Sequence, residues 1–258
     1  MATSAIDLNA DVGESFGARR LGDDEPLFAY VSSANVACGF HAGTPAVIAA
    51  TIEAAMAHQV AVGAHPSYPD PAGFGRKTMH LSAGELRSVI LYQLGAVEGI
   101  ARSYGIKLSH VKPHGALYND AATNAALAQS IAAAVASFDR NLILVGLAGS
   151  ALLSAGKNAG LRVAAEAFCD RTYEDNGLLR SRAHADAILH EEAEVVRQAV
   201  EIATMQRVQS VSGRTLPLQA QTLCVHGDNP EAVRFAKAVR EALSEAGVAV
   251  RSLTNDAG

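Results

Sequence analysis

Short β-prone runs of apolar residues alternate along the chain with polar loops and long alanine-rich helical patterns. Strands that alternate with helices in this way pair in parallel, because each crossover helix returns the chain to the same edge of the sheet. The pattern therefore predicts parallel strands with helical crossovers. Seven predicted strands, with a weaker eighth, span residues 6–9, 34–38, 60–64, 110–112, 142–145, 161–164, 222–225 and 248–252.

Residues that favour helix ends mark the predicted helices. Thr44-Pro45 is a capping residue followed by proline at the first helical position, and the helical pattern continues to about His58. Ser82 and Glu85 have the spacing of a capping box, which opens a helix to about Tyr104. Further helices are predicted over residues 124–137, 186–206 and 229–247, and a short hairpin or loop is predicted over 212–221.

Seven or eight strand–helix units in 258 residues fit one closed or nearly closed (β/α) barrel, seven-stranded or irregular, that spans residues 1–258 as a single domain. A doubly wound open sheet is the alternative α/β architecture. Such a sheet usually carries a glycine-rich GxGxxG turn after its first strand, whereas residues 11–15 read DVGES. The barrel is therefore the preferred prediction.

The charge, the apolar stretches and the cysteines of the chain limit the kinds of partner and environment that it can have. The net charge is −5 and the chain has no run of Lys or Arg, which argues against nucleic-acid binding. Its apolar stretches are far shorter than the roughly 20 residues of a membrane span. Three cysteines without CxxC spacing, Cys38, Cys169 and Cys224, predict a reduced, cytoplasmic protein.

Polar side chains follow nearly every predicted strand. In a barrel of parallel strands these ends share one face, and enzymes of this architecture place their chemistry there. We therefore predict a functional cleft at the carboxyl ends of the strands. The residues concerned are Asn9, Asp11, Glu14, His41, His65, Ser67, Asp70, Arg76, Lys112, His114, Asn119, Glu166, Asp170, Arg171 and His226.

Three of these residues have the chemistry of a divalent metal site. Asp11, His41 and His65 would supply one carboxylate and two imidazoles and leave positions open for water. A metal held there would lower the pKa of its water and polarise a carbonyl. The alternative is that these side chains hydrogen-bond the loops and bind substrate directly.

Lys112 and His114 alternate across Pro113, which predicts that their side chains lie on the same side of the strand. The lysine suits an anion or oxyanion, and the histidine suits proton transfer near neutral pH. The alternative for Lys112 is an internal ion pair with Glu166. Arg76, in the glycine-rich segment 73–76, suits a carboxylate or phosphate, or is simply solvated.

Three familiar catalytic motifs are absent. Glu194 stands where a zincin would have its second histidine after His190-Glu191. The segment around Gly156-Lys157 lacks the first glycine and the Ser/Thr of a P-loop, so the chain has no recognisable nucleotide cradle. There is also no GxSxG nucleophile elbow.

The polar segments at the strand ends resemble the LamB/YcsF family, the A subunits of prokaryotic 5-oxoprolinase. The likeness runs from about residue 6 to residue 250. Thr44, Asn176 and Asp186 depart from the family pattern, where Asp, Asp and Gly are more usual. The matching segments are LNADVGE at 8–14, SANVACGFHAG at 33–43, GAHPSYPD at 63–70, GFGR at 73–76, VKPHGALYN at 111–119, EAF at 166–168, DR at 170–171 and CVHGD at 224–228.

This resemblance implies a barrel related to the glycoside hydrolase/deacetylase superfamily. It also implies ATP-dependent opening of the 5-oxoproline lactam to L-glutamate, with subunits B and C as partners and with ATP and Mg bound through the complex. Asp11, Lys112 and His114 are then the predicted catalytic residues, with His114 or Asp11 serving water and Lys112 stabilising negative charge. The predicted substrate-binding residues are Asn9, Glu14, Arg76, Glu166, Asp170, Arg171 and His226.

Two other functions fit the same residues. One is a stand-alone metal-dependent amide hydrolase or deacetylase, and the other is a non-catalytic barrel that binds a small acid. Assembly of the chain with itself is compatible with each of the three functions.

Overall fold

Seven parallel strands close into a barrel in the part of the chain that the computed structural model describes, residues 4–15, 24–226 and 231–256. The barrel strands follow one another in the order β1, β2, β3, β4, β5, β6 and β9, and β9 pairs with β1 to close the ring. Their bounds are Ser4–Val12 (β1), Ser33–Ala37 (β2), Ala61–His65 (β3), His110–Val111 (β4), Ile143–Leu147 (β5), Arg162–Phe168 (β6) and Thr222–Val225 (β9).

Three further strands lie outside the ring. β7 (Arg207–Gln209) and β8 (Thr215–Pro217) form an antiparallel hairpin, and β10 (Val248–Val250) pairs with the first residues of β1. The hairpin and β10 agree with the loop excursion and the weak eighth strand predicted from the sequence. The barrel prediction is thereby confirmed, with seven strands in the closed ring.

Helices connect the strands and cover the outside of the barrel. Leu8, Ala10 and Val12 of β1 pack into the apolar layer between strands and helices, so the intervening residues of β1 point into the barrel. The helices are α1 (Asp24–Leu27), α2 (Pro45–Ala57), α3 (Ala83–Ser103), α4 (Gly115–Thr123), α5 (Ala125–Phe138), α6 (Ala151–Asn158), α7 (Glu192–Met205) and α8 (Ala232–Glu245), and a 3-10 turn (Leu253–Asp256) follows β10.

Two predicted helix caps are present. Thr44 Oγ1 accepts a hydrogen bond from the Val47 amide at 3.3 Å, so this threonine caps α2 as predicted. Ser82 and Glu85 form the full capping box of α3. The predicted start of the last helix at Asn229-Pro230 lies outside the described residues.

Several boundaries differ from the prediction, and three of them affect the site. β1 extends from the predicted 6–9 to Ser4–Val12, so Asp11 lies within the strand and not after it. β6 continues to Phe168, so Glu166 lies within a strand and not after it. The helix predicted from Asp186 begins at Glu192, because the preceding backbone bonds to the loop after β6: the Leu189 amide donates to Asp170 O, and Arg171 Nε donates to Ala187 O.

Among the described helices, none on its own combines the length and apolarity of a membrane span. Taken as a pair, α4 and α5 would meet those criteria, but the two helices are bent by 118° relative to each other.

Candidate functional site

The interior of the barrel is polar where most barrels are filled by branched apolar side chains. Asp7, Asn9 and Asp11 alternate along β1, so all three enter the barrel, and each is nearly fully buried. At the bottom, the Asp7 carboxylate accepts hydrogen bonds from Ser33 Oγ at 2.6 Å and Thr222 Oγ1 at 2.5 Å. Burial raises the pKa of Asp7 to about 6.

Lys112 lies at the centre of a network that we call the Lys112 network: Asn9, Asp11, Lys112 and Glu166. Its ammonium is 2.9 Å from Asp11 Oδ1, 2.8 Å from Glu166 Oε1 and 3.2 Å from Asn9 Oδ1. Burial opposes this charge, but the carboxylates more than compensate and raise the pKa of Lys112 well above its usual value. The ion pair with Glu166, one of the two interpretations open from sequence, is therefore present.

Asn35 and His110 support this network and were missed in the sequence. Asn35 Nδ2 donates to Asn9 Oδ1 at 2.7 Å and to Asp11 Oδ1 at 2.8 Å, and its Oδ1 contacts His110 Nε2 at 2.8 Å. Burial lowers the pKa of His110 to about 3, so this ring is neutral. Gly63 makes room for the ring, since a Cβ there would collide with it.

A second group of side chains, which we call the histidine cluster, consists of Glu14, His41, His65 and His114. Glu14, His41 and His114 follow β1, β2 and β4, and His65 is the last residue of β3. Each of the four offers a ligand atom within 4.8 Å of the other three. The rings of His41 and His114 stack with centroids 3.8 Å apart. Glu14 Oε1 lies 3.3 Å from His41 Nε2 and 3.4 Å from His114 Nδ1.

The glycine-rich segment 73–76 covers this cluster. Phe74 has a left-handed backbone (φ 55°), its carbonyl accepts from His114 Nε2 at 2.9 Å, and its ring meets His41 edge-on. Gly75 is also left-handed, and a Cβ there would lie 2.9 Å from His114 Cδ2. Arg76 extends over the Phe74 ring, with 4.9 Å from its guanidinium carbon to the ring centroid.

Asp170 and His226 form a carboxylate–imidazole pair. His226 Nδ1 lies 2.9 Å and 3.0 Å from the two carboxylate oxygens of Asp170, and the ring stacks on Phe168. Burial would raise the pKa of Asp170, but His226 lowers it below its usual value. The pair fixes Nδ1 of His226 as the bonded nitrogen and leaves Nε2 on the other edge of the ring. The rest of the predicted motif, residues 227–229, lies outside the described residues.

A pocket of about 500 Å³ opens at this end of the barrel, and arginines form part of its lining. Arg171 is held by two backbone carbonyls, with Nε 3.0 Å from Ala187 O and Nη2 2.6 Å from Arg180 O. Arg76, Arg180 and Arg182 line the same pocket. Arg180 and Arg182 were missed in the sequence because they lie on a long loop without periodic signal.

Tyr118 of α4 also lines the pocket and was not predicted. Burial, and then the charge of Glu166, raises the pKa of its hydroxyl well above the usual value. The group therefore stays protonated and is a hydrogen-bond donor in the pocket wall.

Comparison with known proteins identifies the family. Residues 6–258 match the family model of the LamB/YcsF family. The chain belongs to this family. The A subunit of 5-oxoprolinase from Tolumonas auensis is 52% identical to it over 248 residues, which cover 96% of this chain and 99% of that protein. The crystal structure of the lactam utilization protein from Thermus thermophilus has 45% identity and a TM-score of 0.91, over 96% of this chain and 100% of that one.

A more distant neighbour shares the fold alone. The structure described as T48 deacetylase with substrate is 14% identical, covers 98% of this chain and 89% of its own, and has a TM-score of 0.51. The resemblance to the LamB/YcsF family is thus confirmed, and a deacetylase barrel is among the neighbours of the fold.

In this LamB/YcsF chain the residues predicted from sequence divide into two positions. Some line the pocket, and others lie behind it and hold the first group. Those on the lining are Asp11, Glu14, His65, Arg76, Lys112, His114, Asn119, Arg171 and His226. The residues behind the lining are Asn9, His41, Glu166 and Asp170. Each of them is buried and is either bonded to a lining residue or stacked against one. Two further predicted residues do not line the pocket: the Ser67 backbone bonds to Gln93, and Asp70 accepts from the Gly73 amide.

Proposed function

We propose that this chain is the A subunit of a 5-oxoprolinase, which together with subunits B and C opens the lactam of 5-oxoproline to L-glutamate at the expense of ATP. The observation that carries the proposal is the 52% identity to the A subunit of a 5-oxoprolinase over 96% of this chain and 99% of that protein. The pocket supports it, because proton-transfer groups and cations line one cavity. A cytoplasmic location stays a prediction.

The reaction needs an activated amide. A five-membered lactam is resonance-stabilised, so transfer of the terminal phosphoryl group of ATP to the amide oxygen would make the ring carbon electrophilic. Water then adds to that carbon, the ring C–N bond breaks, the nitrogen takes a proton and phosphate leaves, which yields glutamate. ATP and Mg would be held through the complex, since this chain has no recognisable nucleotide cradle.

Asp11 is the candidate for orienting the water. Burial would raise the pKa of Asp11, but the Lys112 ammonium, 2.9 Å from Oδ1, helps to hold it well below its usual range, so the carboxylate is ionised. Lys112 and Asn35 both donate to its Oδ1. Lys112 therefore acts by positioning Asp11, and with two carboxylates already around its ammonium it is a poor candidate for an oxyanion.

His226 is the candidate for moving the proton. Asp170 orients its ring through Nδ1, and the residue lines the pocket, so Nε2 is the nitrogen left for substrate. His114, the candidate from sequence, directs Nε2 to the Phe74 carbonyl and Nδ1 to His65. We therefore assign proton transfer to His226 and give His114 a role through the histidine cluster.

The anionic groups of the substrate need cations. Arg76 and Arg171 remain the candidates for the carboxylate and the transferred phosphoryl group, because a guanidinium binds such groups with two parallel hydrogen bonds. Arg182 joins them from the same lining. Tyr118 adds a neutral donor.

The test is an assay of 5-oxoproline-dependent ATP hydrolysis and glutamate formation, with the chain alone and co-expressed with subunits B and C. The complex should form glutamate, and the chain alone should form little or none. His226→Asn in the complex should lower turnover by about 10²–10⁴-fold while assembly persists. Robust glutamate formation by the single chain would refute the dependence on partners. ATP-independent cleavage of acetylated amides, without any lactam opening, would favour the deacetylase alternative.

A further inference from the structure

Hydrogen bonds to backbone carbonyls determine which nitrogens carry protons in two rings of the histidine cluster. His65 Nδ1 lies 2.7 Å from Lys112 O, and His114 Nε2 lies 2.9 Å from Phe74 O. A carbonyl oxygen only accepts, so each of these nitrogens carries the proton. In neutral rings the other nitrogens, His65 Nε2 and His114 Nδ1, then carry lone pairs, and they face each other at 3.0 Å.

The surroundings add further acceptors. Glu14 Oε1 lies 3.4 Å from His114 Nδ1, and Asp11 Oδ2 lies 3.4 Å from His65 Nε2. Lone pairs therefore converge on one point, and a cation between them would stabilise this arrangement.

His41 provides an independent observation. The residue is 1% exposed, and neither ring nitrogen has a hydrogen-bond partner among the described residues. A buried polar group without a hydrogen bond is costly and rare in native proteins. Its Nε2 points toward Glu14 Oε1 at 3.3 Å, which directs this nitrogen into the cluster.

Three of the six separations between the four ligand atoms are close to those of a tetrahedral metal site. Ligands about 2.0–2.1 Å from zinc lie roughly 3.3–3.4 Å apart at tetrahedral angles. The separations here are 3.0 Å between His65 Nε2 and His114 Nδ1, 3.3 Å between His41 Nε2 and Glu14 Oε1, and 3.4 Å between His114 Nδ1 and Glu14 Oε1.

We propose that Glu14, His41, His65 and His114 bind one divalent transition-metal ion of the zinc class. Imidazole-rich sites suit zinc, iron, nickel and copper, whereas magnesium and calcium prefer oxygen ligands. The carbonyls of Lys112 and Phe74 bond the outer nitrogens of two ligand rings, as outer-shell partners of metal-bound histidines do. This set differs from the one predicted from sequence: Asp11 leaves it, with Oδ1 bonded to Lys112 and Asn35, and Glu14 and His114 join.

The experiment measures metal content and affinity of the full chain without partners or substrate. Wild-type protein purified from medium supplied with Zn²⁺, Mn²⁺, Fe²⁺, Co²⁺ and Ni²⁺ should carry about one ion per chain by inductively coupled plasma mass spectrometry. After chelation, added Zn²⁺ should restore the content and raise the melting temperature, because an ion that binds only the native state stabilises it. Co²⁺ should give the visible absorption of a tetrahedral site.

Matched variants locate the site. His41→Gln and Glu14→Gln should each weaken zinc binding by more than the roughly 10–100-fold that loss of an outer-shell partner causes. His80→Ala removes an exposed histidine outside the cluster and should leave zinc affinity unchanged. Circular dichroism of the metal-free variants checks that they are folded. The Co²⁺ spectrum of the wild type tests the site without any variant, so the test remains valid if one variant does not fold.

Two results would overturn the proposal. One is a wild-type chain that takes up none of the five metals and shows no change in melting temperature, with a low-field imidazole proton signal that shows a proton shared between His65 and His114. The other is a bound metal that survives both cluster substitutions. Because no substrate enters these measurements, failure of the 5-oxoprolinase proposal would leave them unaffected, and the reverse also holds.

Discussion

The Lys112 network and the histidine cluster are adjacent, both are buried and both are built from strand-end residues, yet their polar atoms are arranged in opposite ways. In the network donors face acceptors: one ammonium lies between the carboxylates of Asp11 and Glu166, and Asn9 bonds to both Lys112 and Glu166. In the histidine cluster, acceptor atoms face one another: His114 Nδ1 lies opposite both His65 Nε2 and Glu14 Oε1.

This difference separates a structural from a functional use of buried polarity. A network whose charges are already paired holds its members in place and gains little from a ligand. A cluster of converging lone pairs would be stabilised by a bound cation. Substitutions in the first region should therefore act mainly on stability, and substitutions in the second mainly on function.

The largest effect is expected from His114→Ala, measured as turnover of the complex. Turnover should fall well beyond the roughly 10–100-fold that loss of an outer-shell partner of a metal causes, because His114 is a ligand of the proposed ion. The melting temperature of the metal-free variant should change little, because the substitution removes one of several repelling acceptors. His80→Ala, at an exposed position, is the control. Near-wild-type turnover would remove His114 from the functional residues.

Lys112→Met should have the opposite profile. Loss of the ammonium leaves the carboxylates of Asp11 and Glu166 buried without their cation, which costs about 3–5 kcal/mol of unfolding free energy. Urea denaturation of the isolated chain measures it. Adding Glu166→Gln to Lys112→Met should recover part of the loss, because the two residues interact directly. Wild-type stability with lost turnover would instead indicate that the ammonium serves the substrate.

The sequence predicted where many of these residues lie, but not which of them contact one another. The rule that strand ends of a parallel barrel share one face correctly brought Asp11, His65, Lys112 and His114 into one region. Sequence spacing carries no information about which carboxylate faces which ring, so Asp11 was grouped with the metal and Glu14 with the substrate. That choice depends on the turn after β1, which only the folded chain defines.

The interior residues were missed for a different reason. Asp7, Asn35 and His110 lie within strands, and the search considered polar residues that follow strands. The sequence does contain a signal for them, because polar residues occupy every second position in two segments. Asp7, Asn9 and Asp11 alternate along β1, and His110, Lys112 and His114 alternate along β4 and the residues that follow it. Helices α4 and α6 went unpredicted, because α4 begins after His114 without a side-chain cap and α6 is only 8 residues long.

Asp7, at the bottom of the barrel, tests whether a carboxyl group whose hydrogen bonds are satisfied can still make the free energy of unfolding depend on pH. Its folded pKa of about 6 lies above the ordinary 3.8 because of burial. The folded chain therefore holds this proton more tightly than the unfolded chain. The contribution of Asp7 to stability is highest below about pH 4 and falls until about pH 6. A shift of this size corresponds to about 3 kcal/mol. Urea denaturation between pH 4 and pH 7 should show this fall in wild type relative to Asp7→Asn, and parallel curves would contradict it.

The smallest effect is expected at Arg76, which lies outside both regions, over the Phe74 ring that covers the histidine cluster. Arg76→Lys keeps the charge but loses the planar fork that binds a carboxylate with two hydrogen bonds. The KM for 5-oxoproline should therefore rise about tenfold, equivalent to about 1.4 kcal/mol, while kcat and the melting temperature stay near wild type. Arg87→Lys, on the exposed side of α3, is the matched control. If kcat falls instead and KM is unchanged, Arg76 acts through Phe74 on the histidine cluster and is not a substrate-binding residue.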